Sequence, residues 1–198
     1  MLFYLGKKMK YQVVSDDFWD LRELEYGTIV YDTVKDWTIS LLRLLIMRGT
    51  MSWCSYIGVA LDSPLSGLSY QDDILSGFSC HGGLTFAGEG DDINRPAGWY
   101  YFGWDYGHGG DWTSIAKRAV VSLFAAGSTS PVEISTDYKR WTFGEVKGEI
   151  TFNSLQMKEI ITLRMKEILA SLKKSNAVFP TPFLNRKRLI RVNGAEKT

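Results

Sequence analysis

Two apolar runs flank Arg48-Gly49-Thr50, and they constrain the fold more than any other feature of the chain. Trp37-Thr-Ile-Ser-Leu-Leu-Arg-Leu-Leu-Ile-Met47 comes first, and Met51–Leu61 follows with Trp53, Tyr56, Ile57 and Val59. Each run is too short for a membrane span, which needs roughly 18 apolar residues, and Arg43 interrupts the first. Two such runs around a short glycine-containing break read as a β-hairpin. A strand at Trp99–Asp105 extends the sheet. Its alternation sets Trp99, Tyr101, Gly103 and Asp105 on one face and Tyr100, Phe102 and Trp104 on the other. The second face reads as core. The first, with a glycine gap and a carboxylate, reads as a half-open pocket.

The remaining elements are more weakly marked. Tyr11–Val14 suggests a short strand, and Asp16–Leu24 a helical turn capped by Ser15 or Asp16. Asp62–Gly67 is a loop, Tyr70–Leu75 one helical turn, and Phe78–Phe86 a strand or strand–turn–strand. Ile115–Phe124 fits no single element. Gly127–Asp137 reads as a surface loop, and Tyr138–Thr151 as a further strand. Asn153–Lys174 reads as a helix, capped by Asn153 with Gln156 at the capping-box position. Met157, Ile161, Met165, Ile168 and Leu172 fall on one face of it, and packing on the sheet is the expected use of that stripe. The expectation is an α+β fold: a mostly antiparallel twisted sheet with a C-terminal amphipathic helix packed on one face. Residues 1–178 form a single domain, and 179–198 form a basic extension with Arg186, Lys187, Arg188 and Arg191.

A net charge of +1 excludes both a nucleic-acid mimic and a globally basic nucleic-acid binder. No secretory signal or membrane span is read from the chain, so a cytoplasmic protein is expected. Cys54 and Cys80 could be bridged, but there they are expected to be reduced thiols.

Chemistry concentrates between Cys80 and Asp111. Both histidines lie there, and ten of the nineteen glycines fall between Gly77 and Gly110. Glycine serves where backbone must come close to another group or take positive φ. Asp105-x-x-His108-x-x-Asp111 lets three polar side chains converge, and His81 makes a fourth. Three readings stay open. The carboxylates cap turns while His108 bonds a carbonyl, or the set binds a polar ligand, or His81, Asp105, His108 and Asp111 hold a divalent metal. The spacing matches no zinc signature, and no resident cofactor is expected. His81-Gly82-Gly83 has the form of an oxyanion loop, but no Gly-x-Ser-x-Gly elbow accompanies it. Backbone donors that meet an anion or a base edge are the simpler use. Phosphate-loop and dinucleotide fingerprints are absent. Tyr101, Trp104 and Tyr106 could stack on a base, although Trp104 reads as core.

Together the motifs Trp53-Cys-Ser-Tyr56-Ile-Gly-Val, Pro64-Leu, His81-Gly-Gly-Leu-Thr-Phe-Ala-Gly and Trp99…Gly103-Trp-Asp105…His108-x-Gly-Asp111 resemble a family of small proteins common in bacteriophage genomes and prophages. The resemblance covers about residues 37–111, with an echo in the terminal helix. The chain departs from the family pattern at three places. Ser55 stands for a glycine, Ser63 for a histidine before proline, and Tyr106 for a cysteine. His81, Thr85, Asp105, His108 and Asp111 match.

The resemblance implies a phage accessory, counter-defence protein acting in the host bacterial cytoplasm. It would bind and sequester a small polar ligand such as a nucleotide-derived immune signal. In that reading Gly82 and Gly83 donate to an anion, His81, Thr85, Asp105, His108 and Asp111 line the site, Tyr101 stacks, and Arg95 neutralises phosphate. One alternative is a hydrolase using His81, Asp105 and His108 for acid–base or metal chemistry. Another is a protein-binding inhibitor of a host effector. Neither membrane nor nucleic acid is expected as a partner, and a homo-oligomer is compatible with the sequence.

Overall fold

A computed structural model describes residues 9–37, 40–113 and 138–174. Ile115–Phe124, Gly127–Asp137 and the extension expected at 179–198 lie outside the described residues. Five strands form one antiparallel sheet: β1 (Ile29–Trp37), β2 (Ser40–Arg48), β3 (Trp53–Ala60), β4 (Phe86–Glu89) and β5 (Trp99–Asp105). Their spatial order is β1-β2-β3-β5-β4. One helix, α1 (Phe143–Lys174), packs on one face. The fold is therefore α+β, as the sequence implies. Among the described residues no helix is long and apolar enough to cross a membrane.

The hairpin around Arg48-Gly49-Thr50 is β2–β3. Gly49 N donates to Ser52 O across the turn at 2.8 Å. Leu42, Leu44 and Ile46 of β2 and Trp53, Ile57 and Val59 of β3 point toward α1. On the opposite face Leu45 and Met47 join Ile29 and Tyr101 in a second, smaller core. Both faces of β2 are thus buried. That explains why its sequence is a continuous apolar run instead of an alternation.

β1 was not marked in the sequence as a strand. Asp32, Lys35 and Asp36 give it an edge-strand character, and a register shift between Ile29 and Tyr31 breaks its period of two. Tyr11 makes only an isolated bridge to Ile29. The expected helical turn near the N-terminus is a 3₁₀ turn at Leu21–Glu23, capped by Asp20 instead of Ser15 or Asp16. The turn expected at Tyr70–Leu75 is a 3₁₀ turn at Asp73–Leu75.

Two further expectations are corrected. Phe78–Phe86 is a strand only from Phe86 onward, because Cys80–Gly83 closes a turn in which Gly83 N donates to Cys80 O. Tyr138–Thr151 is not a strand, since α1 begins at Phe143. Asn153 is therefore no cap but a buried residue ten positions into the helix. The cap is Thr142. Its hydroxyl accepts from Glu145 N, and Glu145 Oε2 accepts from Thr142 N at 2.8 Å, a complete capping box. Gly144, Val146, Gly148 and Thr151 are weak helix formers that hide this first stretch from a propensity reading. Packing of Phe143, Val146 and Ile150 on the sheet overrides them. Gly144 also admits the backbone of Asp16 at close range, donating to Asp16 O at 2.7 Å.

Burial pushes the Glu145 carboxyl up, but Lys139 and the two Thr142 donors outweigh it and hold the group below its ordinary range. Replacing Thr142 by Ala keeps its amide but removes both contacts of the hydroxyl, the one donated to Glu145 Oε2 and the one accepted from Glu145 N. The expected loss is about 1 kcal/mol in urea unfolding, without a change in far-ultraviolet spectrum. A variant as stable as the parent would show that sheet packing alone fixes the helix entry.

Candidate functional site

The helix holds the first site loop through three side chains spaced by four and three residues: Glu149, Asn153 and Gln156. Gln156 pairs with the Ser79 main chain in both directions, accepting from its N at 3.0 Å and donating to its O at 2.9 Å. Glu149 Oε1 accepts from His81 N at 2.8 Å. Asn153 bridges the two, accepting from Gln156 and donating to Glu149. The turn that carries His81 is thereby fixed to one helical face.

The second loop leaves the end of β5. Asp105 Oδ1 accepts from Gly107 N at 2.9 Å and tightens the exit. Asp111 N donates to His108 O, and His108 N donates to Asp111 Oδ2 at 3.0 Å. Asp111 is buried. Its Oδ2 also meets His81 Nε2 at 2.6 Å, and its Oδ1 accepts from the Trp141 indole at 2.8 Å. An ionised carboxylate accepts only, so His81 Nε2 is the donor of this pair. Nδ1 makes no hydrogen bond to a described residue. Burial alone pushes the Asp111 carboxyl up, but His81, Trp141 and the His108 amide together hold it below its ordinary value.

The His81 ring stacks on Tyr106, with centroids 5.0 Å apart and planes 4° from parallel. Trp141 and His108 meet its edges at 4.8 and 5.3 Å. Tyr106 OH donates to Glu149 Oε2 at 3.0 Å and accepts from the Trp104 indole at 3.2 Å. Burial, then the Glu149 charge, pushes this phenol far up. Tyr106 is thus a buried platform for His81 and is not free to stack on a ligand. His108 is about one-third exposed, and its Nε2 lies 3.9 Å from Asp105 Oδ1. That nitrogen is buried against Gly82, without a hydrogen-bond partner among the described residues. Any side chain at Gly82, which has φ of 65°, would overlap the His108 ring.

Five of the nine expected site residues come together here: His81, Gly82, Asp105, His108 and Asp111. Four do not. Gly83 has its N–H already engaged by Cys80 O, so it offers no second donor beside Gly82. Thr85 is exposed, and its main chain pairs with Gly103 as the chain enters β4. Tyr101 is fully buried in the smaller core on the far face of the sheet, with its hydroxyl bonded to Pro96 O at 3.0 Å. Arg95 lies on that same face, over Phe86 at 4.1 Å and Tyr56 at 4.9 Å. The half-open pocket expected beside Gly103 does not exist there, because the Tyr56 ring fills the gap. Alternation gave the correct facing, but a second core covers that face.

Cys54 and Cys80 pack in the two different cores, and both are free thiols. Burial, then Glu149, pushes the Cys80 thiol up to about 12, which leaves it unreactive beside His81. Among the described residues no group of three or more His, Cys, Asp or Glu converges as metal ligands. Both Asp111 oxygens are already occupied by protein donors.

The sequence does not mark Trp141 or Glu149, and it assigns Asn153 and Gln156 to a helix cap instead of this loop contact. Glu149, Asn153 and Gln156 form a polar stripe beside the apolar one, a signal visible only once the helix is extended back to Phe143. Next to Asp111, Trp19 and Trp112 meet edge to face at 5.3 Å. Arg140 stacks on Trp19 at 4.7 Å. This exposed guanidinium makes no hydrogen bond to a described residue. Comparison with protein-family models, curated proteins and solved structures finds no match.

Asp111→Asn removes a charged acceptor from three donors and is expected to cost about 2–3 kcal/mol. The sign with pH follows from the lowered carboxyl. The stabilisation is complete above the ordinary value of 3.8 and fades as pH falls through the lower folded value. Urea unfolding should therefore separate parent and variant fully at neutral pH, and the gap should close in acid. A gap that widened in acid would mean the carboxylate is not the acceptor described.

Proposed function

We propose that the protein binds a small polar, anionic ligand at the loop edge formed by His81, Asp105 and His108, and holds it without turnover. The observation that carries this reading is the pair of imidazoles in edge contact, one fixed by Asp111 and the other with a nitrogen that no described residue satisfies. A buried, unpaired nitrogen costs roughly 1–3 kcal/mol, which a ligand-induced shift of the glycine loop would recover. Rigid bracing by Glu149, Gln156 and Trp141 lowers the ordering cost of binding.

The resemblance of residues 37–111 to a phage family supports an accessory role, with a nucleotide-derived signal in an infected bacterial cytoplasm as the ligand. Arg95 and Tyr101 are too far round the sheet to serve it. Arg140, beside Trp19, is the better phosphate contact. A second reading, hydrolysis, is favoured by one observation: Asp111 orients His81 as it would a general base acting on water.

The two readings separate in one experiment. Purified protein is incubated with a panel of cyclic mono- and dinucleotides, then heat-denatured, and the released molecules are weighed by mass spectrometry. Intact nucleotide, with affinity reduced at least tenfold in His108→Ala and Arg140→Ala, is the expected result. An altered nucleotide whose yield falls in His81→Ala would establish the hydrolase instead. Retention of no nucleotide by the parent protein would end the nucleotide reading.

A further inference from the structure

Helix α1 outruns the sheet. Its apolar stripe begins as core, with Met157 and Ile161 at 0% and 1% exposure. Past Ile161 most of the apolar side chains are exposed. Leu163, Met165, Ile168 and Leu169 are 56%, 36%, 39% and 45% exposed. One turn before Ile161, the Lys158 ammonium sits 4.6 Å over the Trp37 ring at the end of β1. From Ile161 to Lys173 the helix projects for about 18 Å, at 1.5 Å per residue.

The charges on this projection are one-sided. Residues 162–173 carry Arg164, Lys166 and Lys173 against a single carboxylate, Glu167. Arg164 pairs with Glu167 at 3.1 Å. Lys166 and Lys173 have no ion-pair partner among the described residues. At about 100° per residue, Met165, Ile168 and Leu169 share one sector, with Arg164 on one margin and Lys166 and Lys173 on the other.

We propose that this projecting half of α1 docks an acidic amphipathic helix of another protein. The partner's Leu- or Met-type residues would lie on Met165, Ile168 and Leu169, and its Asp or Glu residues would meet Lys166 and Lys173. Charge selects this occupant. A second copy of the chain would set cations against cations. The residues after the helix carry Arg186, Lys187, Arg188 and Arg191, again of the same sign. An anionic bilayer shares the charge preference, but the stripe has no Trp, Tyr or Phe to sit at a headgroup boundary. Unbranched Met and flexible Leu suit helix-in-groove packing.

The test uses the full chain and a fluorescent helical peptide of about 20 residues, with Leu at helical spacing and Glu on both flanks. The expected result is saturable binding that weakens with salt. It should fall at least tenfold in the double variant Ile168→Asp, Leu169→Asp. Lys166→Glu, Lys173→Glu should likewise lose the acidic peptide and gain a Lys-flanked counterpart, a switch that no general loss of folding produces. Unchanged melting temperatures would confirm that these exposed changes leave the fold intact. Equal peptide binding by parent and variants would overturn the proposal. So would binding to phosphatidylserine vesicles without peptide binding. A dimer that the apolar double variant dissociates, and that excludes the peptide, would assign the stripe to a second copy instead.

Discussion

One buried carboxylate holds three distant parts of the chain in register. Asp111 accepts from His81 in the first glycine turn, from the His108 amide in its own loop, and from Trp141 just before the helix. The sheet brings the end of β5 near the start of α1, and this carboxylate joins the ring contacts of His81 and the Asp111–Lys139 bridge in fixing loop against loop. A carboxylate is suited to the task because two oxygens offer several acceptor directions, and charged acceptors bind more strongly than neutral ones. Burial makes the arrangement all-or-none, since a lost donor would leave charge unsolvated.

The helix contributes a second, independent brace. Glu149 and Gln156 hold main-chain groups of the first turn, while Tyr106 reaches the same Glu149 from below. His81 is therefore gripped at its backbone, at one ring nitrogen and across one ring face. Such restraint is more than a surface turn needs for stability. It is the kind of second layer that keeps a binding group in one geometry.

The sheet, its hairpin and the C-terminal helix were legible because apolar period and turn residues express them directly. His81, Asp105, His108 and Asp111 were legible as a group because glycine density and polar spacing concentrate there. Arg95 and Tyr101 were misplaced for one physical reason: alternation tells which residues share a face, not what covers it. Trp99, Tyr56 and Phe86 build a small core over that face, and no local pattern announces it. The helix start was hidden by Gly144 and Gly148. That error concealed Glu149, whose role depends on its spacing from Gln156. Trp141 was beyond local reading altogether, because its partner lies thirty positions away.

Asp111 and Lys139 form an isolated parallel bridge, and Trp112 N and Lys139 N each bond the opposite chain. The two segments are thus pinned side by side at one latch. The chain entropy of joining them there varies only logarithmically with the number of residues between. Whatever the intervening stretch does, evolution could lengthen, trim or exchange it while the imidazole pair stays where it is.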